Sequence, residues 1–232
     1  MARTISILSM LCLVFLVVSP AEGGRSNAYG CGAKEFSYAG LQSENKAHGV
    51  SATITALDQP SLSDGHVGGW IGVGGTDAGP GGTAEWLQIG FASFVPDNAI
   101  RMYYEVVVAG QGPRYVELNP NVQPGEAHKF SVLEMAKRNS WWRVWVDNQP
   151  VSKPIHLVGS HGAWYPQVLA ENWNGGTGAC NTYAYKFANV SLAKTNGGVW
   201  QPVKKRSLFQ DAGYQVTQTS RDPSNFVTNS VS

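Results

Sequence analysis

The chain has 232 residues, of which only 14% are charged, and its formal net charge is +1 with histidines neutral. That length suits one domain with a sizeable core rather than several. So weakly charged a surface argues against nucleic acid or an acidic membrane as partner.

At the N-terminus Arg3 precedes an apolar run from Ile7 to Val18, which gives way to Ser19, Pro20, Ala21, Glu22, Gly23 and Gly24. This is the layout of a secretory signal, predicted to occupy residues 1–23. The run is too short for a membrane span, and no later segment approaches the required length. Cys12 leaves with the signal, and Cys31 and Cys180 remain. Export to the extracellular space makes a disulfide between them the expected state.

Twenty-seven glycines and twelve prolines punctuate the chain, and no sustained helical periodicity appears after the signal. Alternating runs predict strands over 50–57, 70–73, 85–94, 102–108, 115–118, 128–135, 142–146, 155–158, 164–173 and 182–192. The fold class is therefore all-β: a single antiparallel β-sandwich of concanavalin-like or jelly-roll type over residues 24–195. Trp142, Val144 and Val146 share one face of a hairpin whose turn is assigned to Asp147, Asn148 and Gln149. Asn189-Val190-Ser191 is a glycosylation acceptor in a cell that glycosylates, unless a buried strand position forbids it. Residues 196–232 are rich in Gln, Ser, Thr, Asn and Asp, which predicts a flexible tail loosely laid on the surface. In that tail Lys204, Lys205 and Arg206 read as a solvated cluster.

Three strands carry a further pattern. Leu87, Ile89 and Phe91 alternate with Trp86, Gln88 and Gly90, so an indole and an amide face away from the aliphatic side. In 164–173, Glu171 shares a face with Gln167 and Trp173, opposite Val168 and Ala170. Ile71 and Val73 turn Trp70 outward. Indoles brought beside an acid and an amide suggest a shared groove rather than separate wet surfaces. Glu85 and Glu105 are spare carboxylates, and a glycosidase pair on two strands stays open at this point.

Other chemistries find less support. His156 and His161 are five residues apart, which places them on opposite strand faces and argues against a metal site. No Gly-x-Ser-x-Gly elbow occurs. The run from Gly68 to Gly75 opens no helix and so lacks the setting of a nucleotide-binding loop. Neither a cofactor nor a metal is expected.

Taken in order, several blocks resemble the glutamic peptidases, both the eqolisin type and the plant neprosin type. They are Ser37-Tyr38-Ala39-Gly40, Gly49 to Thr55, Trp70-Ile71-Gly72-Val73-Gly74-Gly75, Gln88-Ile89-Gly90-Phe91, Tyr103-Tyr104-Glu105-Val106, Ser140-Trp141-Trp142, Trp164-Tyr165-Pro166 and Ala170 to Gly176. The similarity spans roughly residues 36–193 and consists of short blocks. Gly74 stands where eqolisins have an acid, and Asn172 separates Glu171 from its tryptophan. The resemblance implies a secreted β-sandwich hydrolase with Glu171 and Gln88 as catalytic groups. Glu171 would act as general base and then acid at low pH. Gln88 would donate to the oxyanion of a tetrahedral intermediate. Trp70, Trp86, Trp173 and Glu105 would line a groove for an extended polypeptide substrate. The alternative on the same sandwich is a monomeric, non-catalytic carbohydrate-binding module in which the indoles stack on polysaccharide.

Overall fold

The computed structural model describes residues 36–177 and 180–230. The signal assigned to residues 1–23 and the Cys31 half of the expected disulfide lie outside the described residues. Along the chain run β1 (Phe36–Ser43), β2 (Gly49–Ala56), β3 (His66–Gly75), β4 (Glu85–Phe94), β5 (Ile100–Val107), β6 (Arg114–Val122), β7 (Ala127–Glu134) and β8 (Trp141–Val146). They are followed by β9 (Gln149–Pro150), β10 (Ile155–His156), β11 (Gln167–Trp173), β12 (Ala184–Ala193), β13 (Trp200–Pro202), β14 (Arg206–Gln210), β15 (Tyr214–Gln218) and β16 (Phe226–Ser230).

Two antiparallel sheets form a sandwich. One has seven strands in the order β14-β1-β11-β3-β4-β5-β6. The other runs β10-β8-β7-β2-β12-β16-β15, with β13 beside β12 and β9 beside β8. Alternation decides which residues meet between them. Ile71, Ile89 and Phe91 of the first sheet face Ile54, Phe130, Tyr185 and Phe187 of the second, all of them buried. Phe91 meets Phe130 edge-on at 5.1 Å between centroids, tying the layers together. Each such side chain contributes about 1.5–3 kcal/mol by leaving water. Gly69 is required here because a Cβ at that position would stand 2.7 Å from the Tyr185 ring.

The structure differs from the sequence expectations in three places. β1 is a full strand that no predicted run covered. The β8–β9 turn consists of Asp147 and Asn148 alone, both with positive φ (48° and 66°), while Gln149 pairs with Val146 in the ladder.

The largest correction concerns the tail, which was expected to lie loose on the surface. Four strands form there: β14 extends the first sheet by pairing with β1, and β16 pairs with β12 in the second. Tyr214, Phe226 and Thr228 are buried, and Phe226 stacks on Phe187 at 4.9 Å. A strand at a sheet margin buries one residue in two or three, so its average composition stays polar while its anchors do not.

Candidate functional site

The outer face of the seven-stranded sheet collects the side chains singled out in the sequence. Trp70, Trp86, Gln88, Glu105, Glu171 and Trp173 alternate with core residues on four neighbouring strands, and so all project from this face. Asn172 does not disturb that order. It turns inward, fully buried, where its Oδ1 accepts from Asn181 Nδ2 at 2.8 Å, and Trp173 therefore returns to the face of Glu171.

Glycines make this face habitable. On β3 the outward positions run His66, Gly68, Trp70, Gly72. A Cβ on Gly72 would come within 3.0 Å of the Gln88 Cβ, so its absence admits the glutamine. Gly68 is the register partner of Glu171, and a Cβ there would lie 3.6 Å from Trp70 Cδ1 and 3.8 Å from Tyr103 Oη.

Glu171 is held by two N–H donors. His66 Nε2 donates to Oε1 at 2.9 Å and Trp70 Nε1 donates to Oε2 at 3.2 Å. His66 is itself boxed by Phe36, Phe94 and Trp173, with ring centroids at 5.8, 5.6 and 5.6 Å. A charged acceptor with two donors is fixed in orientation by bonds about twice as strong as neutral ones. Trp70 is thus a buried support for the carboxylate, only 6% exposed, rather than an open wall of the groove. Trp173, at 37%, is the exposed indole of the set.

Gln88 stands opposite Glu105 in the β4–β5 ladder and donates from Nε2 to Tyr103 Oη at 3.2 Å. Trp86 Nε1 donates to Glu105 Oε1 at 3.0 Å. Burial raises the Glu105 pKa and repulsion from Glu171 raises it further, against the Trp86 hydrogen bond and the His66 charge. The Tyr103 pKa is pushed well up, first by burial and then by Glu171 and Glu105, so its phenol keeps its proton. The pKa of Tyr38, paired with Glu171 across β1–β11, is raised first by burial, then by Glu171, Asp211 and Glu105.

No hydrogen bond joins Gln88 to Glu171 among the described residues. Their register partners on β3, Gly72 and Gly68, are four residues apart. With about 3.3 Å per residue and 4.8 Å per strand, the two Cα atoms are roughly 16 Å apart. Tyr103 occupies the interval, accepting from Gln88 and reaching over Gly68 beside Glu171. Tyr103 enters the sequence reading only within the Tyr103-Tyr104-Glu105-Val106 block, with no site role, and His66 does not enter it. His66 carried a readable signal, since it shares the parity of Trp70 on β3.

Other singled-out residues lie elsewhere. Asn189 is exposed at a β-bulge in β12 with φ 56°, so no buried strand position forbids its modification. Glu85 is fully buried and accepts from the Val158 and Ala109 N–H groups. His156 stacks on Trp141 at 4.9 Å, whereas His161 bonds to Glu134. A separate cavity bounded by Asp58, Gln59, Tyr183 and Asn229 is lined by none of the outer-face residues named above.

Comparison with protein-family models and with curated proteins finds no match for the chain. Among solved structures it is similar to scytalido-glutamic peptidase with a transition state analog inhibitor. The two share 18% identity and a TM-score of 0.58, over 84% of this chain and 98% of that one. It is also similar to SCP-B, a member of the eqolisin family of peptidases in a complex with the tripeptide Ala-Ile-His. There the identity is 19% and the TM-score 0.54, over 85% of this chain and 98% of that one. The chain has a glutamic peptidase-like β-sandwich fold.

Proposed function

We propose that the protein is an exported acid endopeptidase whose outer-face carboxylate, Glu171, activates water for peptide hydrolysis. The observation that carries this reading is the double grip of His66 and Trp70 on Glu171, on the same face as the Gln88 amide. Glu171 removes a proton from water as it attacks the scissile carbonyl, then returns it to the departing amine. The Gln88 amide and the Tyr103 phenol supply neutral donors for the oxyanion, and Glu105 stays protonated further up the pH scale than an ordinary glutamate. The exposed ring of Trp173, stacked on Phe36 at 6.1 Å, offers an apolar rim for substrate side chains. Export brings with it the Cys31–Cys180 disulfide and, in a glycosylating cell, a glycan on Asn189.

The test is cleavage of an acid-denatured protein substrate by the purified chain. Activity at low pH that disappears in Glu171→Gln supports the proposal, and unchanged cleavage by that variant overturns it. The same exposed Trp173 favours a second reading, a carbohydrate-binding surface. Retention on a polysaccharide column that survives Glu171→Gln and fails in Trp173→Ala would select it.

A further inference from the structure

On the other sheet, three segments far apart in sequence converge on one carboxylate. Glu134 ends β7 and is fully buried. Its Oε2 lies 2.6 Å from His48 Nδ1 and its Oε1 lies 2.8 Å from His161 Nδ1. The two imidazole rings lie side by side with centroids 5.0 Å apart, tilted by 58°. We propose that His48, Glu134 and His161 form a binding site for a divalent transition metal, Zn²⁺ in the first place, independent of the Glu171 face.

The donor set fits that ion. Two imidazole nitrogens and one carboxylate oxygen are a known zinc triad, with a fourth position left to water. The candidate ligand atoms all lie within 4.8 Å of one another. Tetrahedral zinc with bonds near 2.1 Å sets its ligand atoms about 3.4 Å apart, so small rotations of the two rings make room for it. The half-exposed His161 leaves a solvent route to the fourth position.

The backbone shows a built arrangement rather than a chance meeting. The Glu134 N–H donates to the His48 carbonyl at 2.9 Å, so the two residues are locked side by side. The Ser140 N–H donates to Glu134 Oε1 and orients the carboxylate from behind, as outer partners of metal ligands do. Gly162 carries the His161 loop hard against His48. Its φ is +56°, and a Cβ there would stand 2.8 Å from His48 Cε1. Among the described residues no lysine or arginine pairs with Glu134. A sealed carboxylate lacking such a partner gains most from a dication. Bound metal would pin the segment before β2, the end of β7 and the loop after β10 together.

The test is titration of the metal-stripped full chain with ZnCl₂ against a chromophoric chelator, repeated with CoCl₂ to read the visible bands of a tetrahedral site. The expected result is one equivalent bound with a Kd of micromolar or below, and a thermal midpoint that rises with free Zn²⁺. His161→Gln and His48→Gln should each weaken binding at least tenfold. His128→Gln, at the exposed cluster of His128 with Glu126 and Asp147, should leave it unchanged. His161→Gln is the decisive variant, because a half-exposed loop residue can be replaced without unfolding the chain. Absence of stoichiometric binding, or equal affinity in His161→Gln, overturns the proposal and leaves Glu134 satisfied by its histidines and the Ser140 N–H alone.

Discussion

Glu171 lies directly across the β11–β3 ladder from Gly68, and above that glycine its carboxylate receives the Trp70 indole N–H. The empty outward side of Gly68 lets an indole, a phenol and a carboxylate crowd into one patch. Trp70→Phe keeps the packing and deletes one donor to a charged acceptor, an interaction of about 1.5–3 kcal/mol. The expected outcome is a ten- to hundredfold fall in kcat with KM little changed, read from acid proteolysis kinetics. A rise in KM alone would instead assign Trp70 to substrate contact.

Gln88 bonds to Tyr103 and not to Glu171, so the amide and the phenol are expected to act as coupled donors. Removing one oxyanion donor costs about 2.7–4 kcal/mol of transition-state stabilisation. Gln88→Ala should therefore lose roughly a hundred- to a thousandfold in kcat. The double variant Gln88→Ala/Tyr103→Phe should lose less than the product of the two single losses, because the groups share one hydrogen bond. Strictly multiplicative losses would separate them.

Glu105 predicts a pH signature in stability. Its folded pKa is raised, by burial first and by Glu171 second, so the folded state favours the protonated form. That contribution is complete below the ordinary glutamate value and is lost as pH climbs through the raised folded value. Glu105→Gln keeps an acceptor for Trp86 and removes the charge. The variant and the parent should melt alike below the ordinary glutamate range, and the variant should melt increasingly higher as pH rises above it through the raised folded value. A constant gap across that range would show that packing, not ionisation, sets the difference.

Much of the outer face was legible because strand parity is a local property. Leu87, Ile89 and Phe91 point into the core, and that alone turns Trp86 and Gln88 out; the same holds for Glu171 and Trp173. What parity cannot give is which strands are neighbours. His66 reaches Glu171 because β3 pairs with β11, and Tyr103 reaches Gln88 because β5 pairs with β4. The His48–Glu134–His161 cluster escaped for the same reason. Sequence proximity pairs His161 with His156, whereas its partners in space lie 27 and 113 positions away.

The tail shows a different limit, and it carries the sharpest stability prediction. Composition reads Gln201 to Ser230 as polar, yet β14 sits in one sheet and β15 and β16 in the other, so the segment closes a side of the sandwich. The Tyr38 N–H donates to Asp211 Oδ2 at 2.7 Å, and the Asp211 N–H donates back to the Tyr38 carbonyl at 3.0 Å, securing the connection between β14 and β15 next to the Glu171 strand. Deep anchors outweigh a wet average: Phe226 is 2% exposed and stacked on Phe187, and Tyr214 lies parallel to Tyr183 at 5.5 Å. Phe226→Ala should therefore cost about 3–5 kcal/mol, the range for a buried phenylalanine, and not the few tenths of a loose surface residue. Phe209→Ala, at a 39% exposed position on β14, should cost far less. Denaturant melts of the two variants decide the matter: equal, small losses would return the tail to the surface, whereas a large loss confined to Phe226→Ala makes it part of the core that holds the Glu171 strand in place.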